Sequence, residues 1–180
     1  MSAAVFIIPD GDVTALKSAI NTSNTNGDDD TIELASNGDY LLLTGDNGGD
    51  TGLPTIAADG DKKLTIHGNG ATIHRSIANG TPAFRIFHIV SGADVTISEL
   101  TVSNGVSPFC CCGPYGGGGI LSEHATLTLN NCTLSGNFAE YGGAIFNAGW
   151  VSGDATLIVA NSYSYSLEDA EGARDLKETR

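Results

Sequence analysis

A Thr-Leu motif that recurs at nearly constant spacing constrains this chain more than any other feature. Lys63-Leu64-Thr65-Ile66, Asp94-Val95-Thr96-Ile97, Thr126-Leu127-Thr128-Leu129 and Thr156-Leu157-Ile158-Val159 follow one another at intervals of 31, 32 and 30 residues. The segments alternate polar and apolar residues, as a half-buried strand requires, except that the fourth has Ile158 in place of the second polar residue. The apolar positions form two columns, Leu64, Val95, Leu127, Leu157 and Ile66, Ile97, Leu129, Val159. The register continues with Leu100 over Cys132 and Val102 over Leu134. It also sets Asn131 above Asn161, where a solenoid can run an asparagine ladder through a turn. At the same period His67 falls over Ser98 and Asn130, and His74 over Gly105 and Asn137.

A second column precedes the first. Gly117-Gly118-Gly119-Ile120 matches Gly142-Gly143-Ala144-Ile145, and each run leads through a short turn into its Thr-Leu strand. Glycine lets the backbone bend and approach closely where coils stack. Short strands at this period, with no helix between them, describe a parallel β-solenoid. A βαβ fold would need a long, usually helical, crossover in every period. A β-sandwich accommodates the alternation but gives no reason for identities stacked at constant spacing.

The N-terminal region has a different pattern. Asp12 is placed to N-cap Val13 to Ile20, with Val13, Leu16 and Ile20 on one face, so a helix over about 12–21 is expected to close the open end of the solenoid. Thr31 to Leu43 reads as strand, turn at Asn37-Gly38-Asp39, and strand. The fold expected is all-β. Residues 1–166 make a single-stranded parallel β-helix with an N-terminal helical cap, and residues 167–180 make an irregular or helical C-terminal tail of unrelated composition.

Charge narrows the partners. With 8 basic against 21 acidic side chains and a formal charge of −13, the chain gains nothing by releasing counterions from nucleic acid. No apolar run approaches the roughly 18 residues of a membrane helix. Met1 to Pro9 lacks the basic region of a signal peptide, so the chain as written is expected in the cytoplasm. Three cysteines are consecutive, Cys110 to Cys112, and Cys132 reads as a small buried hydrophobe.

Several runs together resemble a known group. Gly11-Asp12-Val13 through Ala19-Ile20, Asp30-Thr31-Ile32-Glu33-Leu34, Leu53-Pro54-Thr55-Ile56, Leu64 through Ile73 and Phe84-Arg85-Ile86-Phe87 are similar to the opening of bacterial right-handed β-helix surface proteins. The Gly-Gly-x-Ile and Asn-Cys-Thr-Leu-Ser-Gly-Asn coils resemble polymorphic outer-membrane-protein repeats and the broad pectate-lyase-like superfamily. The resemblance covers about residues 5–162 and implies a right-handed solenoid whose parent family is extracellular or at the cell surface. After Asn161-Ser162 the repeat breaks into Tyr163-Ser164-Tyr165-Ser166, with Ser164 where Leu134 stands one coil earlier. A truncated array with a bare last coil suggests a homodimer through that end.

No nucleophile elbow, Walker loop, dinucleotide fingerprint or His-Glu-x-x-His occurs. Enzymes of the pectate-lyase-like superfamily hold Ca²⁺ with carboxylates and use a basic side chain, which would fall here to Arg75 and Arg85 with Asp94 and Glu99 as carboxylates. A salt bridge or carbonyl clamp is the alternative role for each arginine. Asp28 and Asp30 in one acidic loop, and Asp46 and Asp50 in another, are candidate Ca²⁺ ligands without EF-hand spacing. The segment 107–116 interrupts the coil pattern and is expected to project. Phe109 and Tyr115 within it, with Tyr141 and Trp150, offer aromatic surfaces for a sugar. Outward Thr65, Thr96 and Thr128 stack in a way that would suit ice, but Ile158 ends that column. The reading is an adhesin-like surface or binding module recognising a glycan or a protein. The alternative is a polysaccharide-cleaving hydrolase or lyase, assisted by Ca²⁺.

Overall fold

The alternating segments are strands, and consecutive coils lay them side by side in parallel. The structure, a computed structural model, describes residues 3–108, 116–149 and 154–166. Along them run β1 (Ala4–Ile8), α1 (Val13–Ser23), β2 (Asp30–Leu34), β3 (Asp39–Leu42), β4 (Lys63–His67), β5 (Thr72–Arg75), β6 (Phe87–Ile89) and β7 (Asp94–Ser98). There follow β8 (Thr101–Ser103), β9 (Ile120–Glu123), β10 (Thr126–Asn130), β11 (Thr133–Asn137), β12 (Ile145–Ala148), β13 (Thr156–Ala160) and β14 (Tyr163–Ser166). They form a first sheet β1-β2-β4-β7-β10-β13, a second β3-β5-β8-β11-β14 and a third β6-β9-β12. All pairings within these sheets are parallel. The chain is a parallel β-solenoid of about four turns.

Inward residues of the three sheets fill the lumen. Phe6, Ile32, Ile66, Ile97, Leu129 and Val159 make one continuous row of the first sheet. Tyr40, Ile73, Val102 and Leu134 face it from the second sheet, and Phe87, Ile120 and Ile145 from the third. Tyr40 is fully buried; its hydroxyl donates to the Ile8 carbonyl at 3.0 Å and accepts from the Ala35 N–H at 3.0 Å. Burial pushes its phenol above the ordinary range.

The helical cap is real and slightly longer than the sequence indicates, running to Ser23. Asp12 accepts from the Ala15 N–H at 2.8 Å, and Leu16, Ala19 and Ile20 are buried against the first coil. Past the helix, Asn24 donates to Thr55 O at 2.8 Å and accepts from Ala57 N at 2.9 Å, tying the cap to the third face.

Two details depart from the constant-period reading. Between β4 and β5 the turn Gly68–Ala71 holds four residues, where Glu99–Leu100 holds two between β7 and β8. His74 therefore lies over Ser103 and Ser135, not over Gly105 and Asn137. Asp30, expected in a polar loop, starts β2 and points inward into the row Asp30, Leu64, Val95, Leu127, Leu157. It is 2% exposed; Asn26 Nδ2 donates to its Oδ1 at 2.9 Å, and its Oδ2 has no hydrogen-bond partner among the described residues.

Asn131 and Asn161 serve the backbone. Both sit at the corner between the first and second sheets with φ of 54° and 48°, and Glu99 takes the same corner one coil earlier at 52°. Asparagine tolerates the left-handed region, whereas most residues with a Cβ lose roughly 1–2 kcal/mol there. Glu99→Asn is therefore expected to stabilise the protein by about 0.5–1 kcal/mol, raising the melting temperature by roughly 1–4 °C. A lowered melting temperature would mean that the Glu99 side chain does more at this corner than its backbone requires.

Candidate functional site

Alternate residues of the first sheet that do not face the lumen make a regular outer face. One row runs Val5, Thr31, Thr65, Thr96, Thr128, Ile158, and the next Ile7, Glu33, His67, Ser98, Asn130, Ala160. A third holds Lys63, Asp94, Thr126 and Thr156. Four consecutive threonines thus repeat at the strand spacing of about 4.8 Å. The sequence showed three of them; Thr31 joins because β2 pairs with β4. Threonine has few χ1 choices on a strand, so these side chains are held in place before any ligand arrives; the Thr96 hydroxyl is itself buried and has no hydrogen-bond partner among the described residues. Neighbouring groups are fixed too. His67 Nδ1 lies 2.9 Å from Ser98 Oγ, and Asn69 Nδ2 donates to Glu33 Oε2 at 3.1 Å and Leu34 O at 2.9 Å.

Each of the other faces carries one histidine against a carboxylate from a neighbouring coil. His74 Nε2 stands 2.8 Å from Asp39 Oδ1 on the second sheet, and His88 Nε2 stands 2.6 Å from Glu123 Oε2 on the third. The second pair is half-buried. Neither His88 nor Glu123 stands out in the sequence. A separation of one coil plus a few residues was the available signal.

The Arg75 side chain acts on backbone, and that of Arg85 on a hydroxyl. Arg75 Nε donates to Asn104 O at 2.9 Å, and its Nη1 reaches Thr81 O at 3.4 Å and Pro82 O at 3.2 Å. Its guanidinium lies over the Phe84 ring, 5.8 Å from the centroid, and burial lowers its pKa. This is the carbonyl clamp that the sequence left open, and it fastens the segment 76–83 to the solenoid. Arg75→Ala should open that segment to proteolysis and cost about 1.5–3 kcal/mol, since the hydrogen bonds lost come from a charged donor. Cleavage at an unchanged rate would mean that the segment is held by other contacts. Arg85 is 5% exposed. Its Nη2 donates to Ser107 Oγ at 3.2 Å, and its backbone accepts from Gly52 N and donates to Asp50 O.

The carboxylates are spread out. Asp94 opens β7 and Glu99 follows its end, so about five residues, roughly 16 Å of strand, separate them. Paired carboxyls of glycoside hydrolases stand roughly 5–10 Å apart. Asp28 and Asp94 line one cleft with Asp59, Lys62 and Lys63 beside the end of α1. The cavity is about 10 Å³, room for about one water. Asp30 turns into the core, away from Asp28. Asp46 pairs with Lys17 at 3.3 Å, and Asp46 bridges Thr51 so that the loop carrying Asp50 closes on itself. Among the described residues no three His, Cys, Asp or Glu side chains are grouped to hold a metal ion.

The described residues that flank the interrupting segment, 106–108 and 116–117, form a neck paired to the next coil. Val106 bridges Phe138 and Gly116 bridges Tyr141. Ser107 N donates to Phe138 O at 2.8 Å, and Gly117 N to Tyr141 O at 3.1 Å. Tyr141 is 55% exposed beside this neck. Phe109, Tyr115 and Trp150, with Cys110, Cys111 and Cys112, lie outside the described residues, as does the tail 167–180. Cys132 is free and buried, and burial raises its thiol pKa, which keeps it protonated.

Sequence reading also missed Asn137. It is fully buried, accepts from Gly105 N at 2.9 Å and donates to Val102 O at 2.9 Å, and so holds the third coil at the neck. Its signal was faint, because a single Asn in a Ser-Gly-Asn run reads as a turn.

No family model, curated protein or solved structure matches this chain. No helix among the described residues is long and apolar enough to cross a membrane.

Proposed function

We propose that the protein is an adhesin-like binding module that presents the outer face of its first sheet to a glycan. The observation that carries this reading is the ladder Thr31, Thr65, Thr96, Thr128, flanked by Glu33, His67, Ser98 and Asn130. Hydroxyl, amide and imidazole groups at one repeat suit a ligand that is itself a repeating array of hydroxyls. Because every group stands on a paired strand, little side-chain entropy remains to be lost on binding. A protein ligand would use the same face, with Glu33, Asp94 and Lys63 setting its charge preference. The resemblance to bacterial β-helix surface proteins supports an extracellular setting for the parent family. Ca²⁺ assistance through Asp28 or Asp46 would add to such binding and is not required by it.

The polysaccharide-cleaving alternative asks Arg75, Arg85, Asp94 and Glu99 to converge on one bond. Arg75 is committed to carbonyls and the two carboxylates stand at opposite ends of β7, which favours the binding reading.

A polysaccharide panel titrated by calorimetry, with and without Ca²⁺, tests it. Binding by the wild-type protein should weaken at least about tenfold, or 1.4 kcal/mol, in Thr65→Lys and Thr96→Lys. Both variants should keep the wild-type circular dichroism spectrum. Release of reducing ends or unsaturated products would make the protein an enzyme and overturn the proposal. Absence of binding, or binding that survives both lysines and is lost in Tyr141→Ala, would remove the first sheet as the site.

A further inference from the structure

We infer that copies of this chain associate head to tail, the outer edge of β13 of one copy pairing in parallel with the outer edge of β1 of the next. The distribution of exposed apolar side chains carries the inference. Among the described residues the exposed large hydrophobics of the first sheet are Val5, Ile7 and Ile158, all on its two edge strands, while Leu41, Leu43, Ile77, Phe138, Tyr141 and Tyr163 are exposed elsewhere. On the first sheet the threonine row is apolar only at its two ends, with Val5 60% and Ile158 50% exposed, and Ile7 beside Val5 is 79% exposed.

Among the described residues nothing guards the two edge strands. Sheets normally protect an edge with charge, proline or a bulge. Here β1 reads AVFII and β13 reads TLIVA, without a charged residue; of the strands between them β2, β4 and β7 each carry at least one and β10, TLTLN, carries none. Among the described residues no strand pairs with the outer side of β1 or of β13. The lumen row is also half-open at the far end: Leu157 and Val159 are half-buried, where Leu127 and Leu129 one coil earlier are 0% and 1% exposed.

A second copy fits both ends at once. All pairs of the first sheet are parallel and in one register, so continuing that register sets Ile158 against Val5 of the next copy, Val159 against Phe6 and Ala160 against Ile7. Each contact then repeats the row logic of the interior, apolar against apolar. The exposed positions of α1, Thr14, Ser18, Asn21 and Thr22, are polar, so the contact is confined to the sheet edge and is weak. A charge of −13 on each copy opposes it. Added salt therefore strengthens the association by screening that repulsion. A heterologous contact of this kind leaves one free edge at each end and builds chains.

Sedimentation velocity over a range of concentrations tests the inference on the full chain. The wild-type protein should rise above its 18.4 kDa monomer mass with concentration, more so at higher salt. The double variant Val5→Lys/Ile7→Lys and the single variant Ile158→Lys should each stay monomeric with an unchanged circular dichroism spectrum. Mixed together they should form a dimer and nothing larger, because one retains a competent tail edge and the other a competent head edge. A wild-type protein that is monomeric throughout would overturn the inference. So would association that survives in either variant alone, the mark of a like-with-like contact, or a mixture that stays monomeric. If a lysine variant unfolds, Val5→Thr/Ile7→Thr and Ile158→Thr, which extend the interior threonine row, replace it and should weaken association in the same pattern.

Discussion

Gly105→Ala is expected to cost more than about 4 kcal/mol, the range in which a single substitution unfolds many domains of this size. A Cβ at Gly105 would overlap the carbonyl oxygen of Gly118 and stand 2.9 Å from Ile86 Cγ1. The first obstacle is backbone, which cannot rotate away as a side chain does. Gly118 is pressed in turn against the backbone of Phe138 in the following coil, so displacing it moves two coils. The neck flanking residues 109–115 therefore depends on bare backbone at both sides. Gly27→Ala is the control. Gly27 has φ of 76° and open space around its would-be Cβ, so alanine there costs only the left-handed backbone penalty of roughly 1–2 kcal/mol. Urea denaturation of the two variants measures the contrast. A Gly105→Ala protein as stable as Gly27→Ala would mean that the neck has room the packing denies.

Asn137→Ala is expected to cost about 2–4 kcal/mol. It strands the Gly105 N–H and the Val102 carbonyl in a fully buried setting, and each unsatisfied buried group costs about 1–3 kcal/mol. Asn137→Asp separates the two bonds. A carboxylate still accepts from Gly105 N–H but cannot donate to Val102 O, and its charge is buried. Burial raises the folded-state pKa of the new carboxyl above its unfolded value. The variant is then closest to wild type at pH below the unfolded value of about 4, where the acid form donates a proton to Val102, and it loses stability as pH rises through the folded-state pKa. Urea melts at pH 4 and pH 7 measure this. A pH-independent difference between Asn137→Asp and wild type would show that the Val102 bond contributes little.

These two residues also mark the limit of what inspection of the sequence reveals. The repeat, the strand columns and the helical cap were legible because burial of one strand face imposes a period-two pattern, and stacking of coils copies it at a fixed interval. Asp12 announced α1 because an N-cap has a short list of side chains. The register of His74 was not legible. It depends on two extra residues in the turn Gly68–Ala71, and turn length leaves no mark on the strand pattern. The inward placement of Asp30 was hidden for a related reason: a charged residue beside Asp28 and Asp29 looks like a loop, and only its pairing with Ala4 and Leu64 puts it in a lumen row.

For the candidate site the division is similar. Three of the four outer threonines were visible as a column. Thr31 was not, because β2 and β4 are 34 residues apart at paired positions such as Thr31 and Thr65, outside the regular interval. Arg75 and Arg85 stood out as the basic residues of the coils, yet their partners are the carbonyls of Asn104, Thr81 and Pro82 and the hydroxyl of Ser107. A carbonyl partner has no side-chain signature, so a clamp and a catalytic base look alike until the chain is folded.

The sequence by itself determined that this chain winds into stacked parallel coils, since local alternation and its repeat are both written in single residues. The tertiary structure alone decided which outward residues share a row, which polar residues turn into the lumen and where the edges stay apolar. Those outcomes depend on turn lengths and on pairing between residues some 30 positions apart, and no local pattern encodes either.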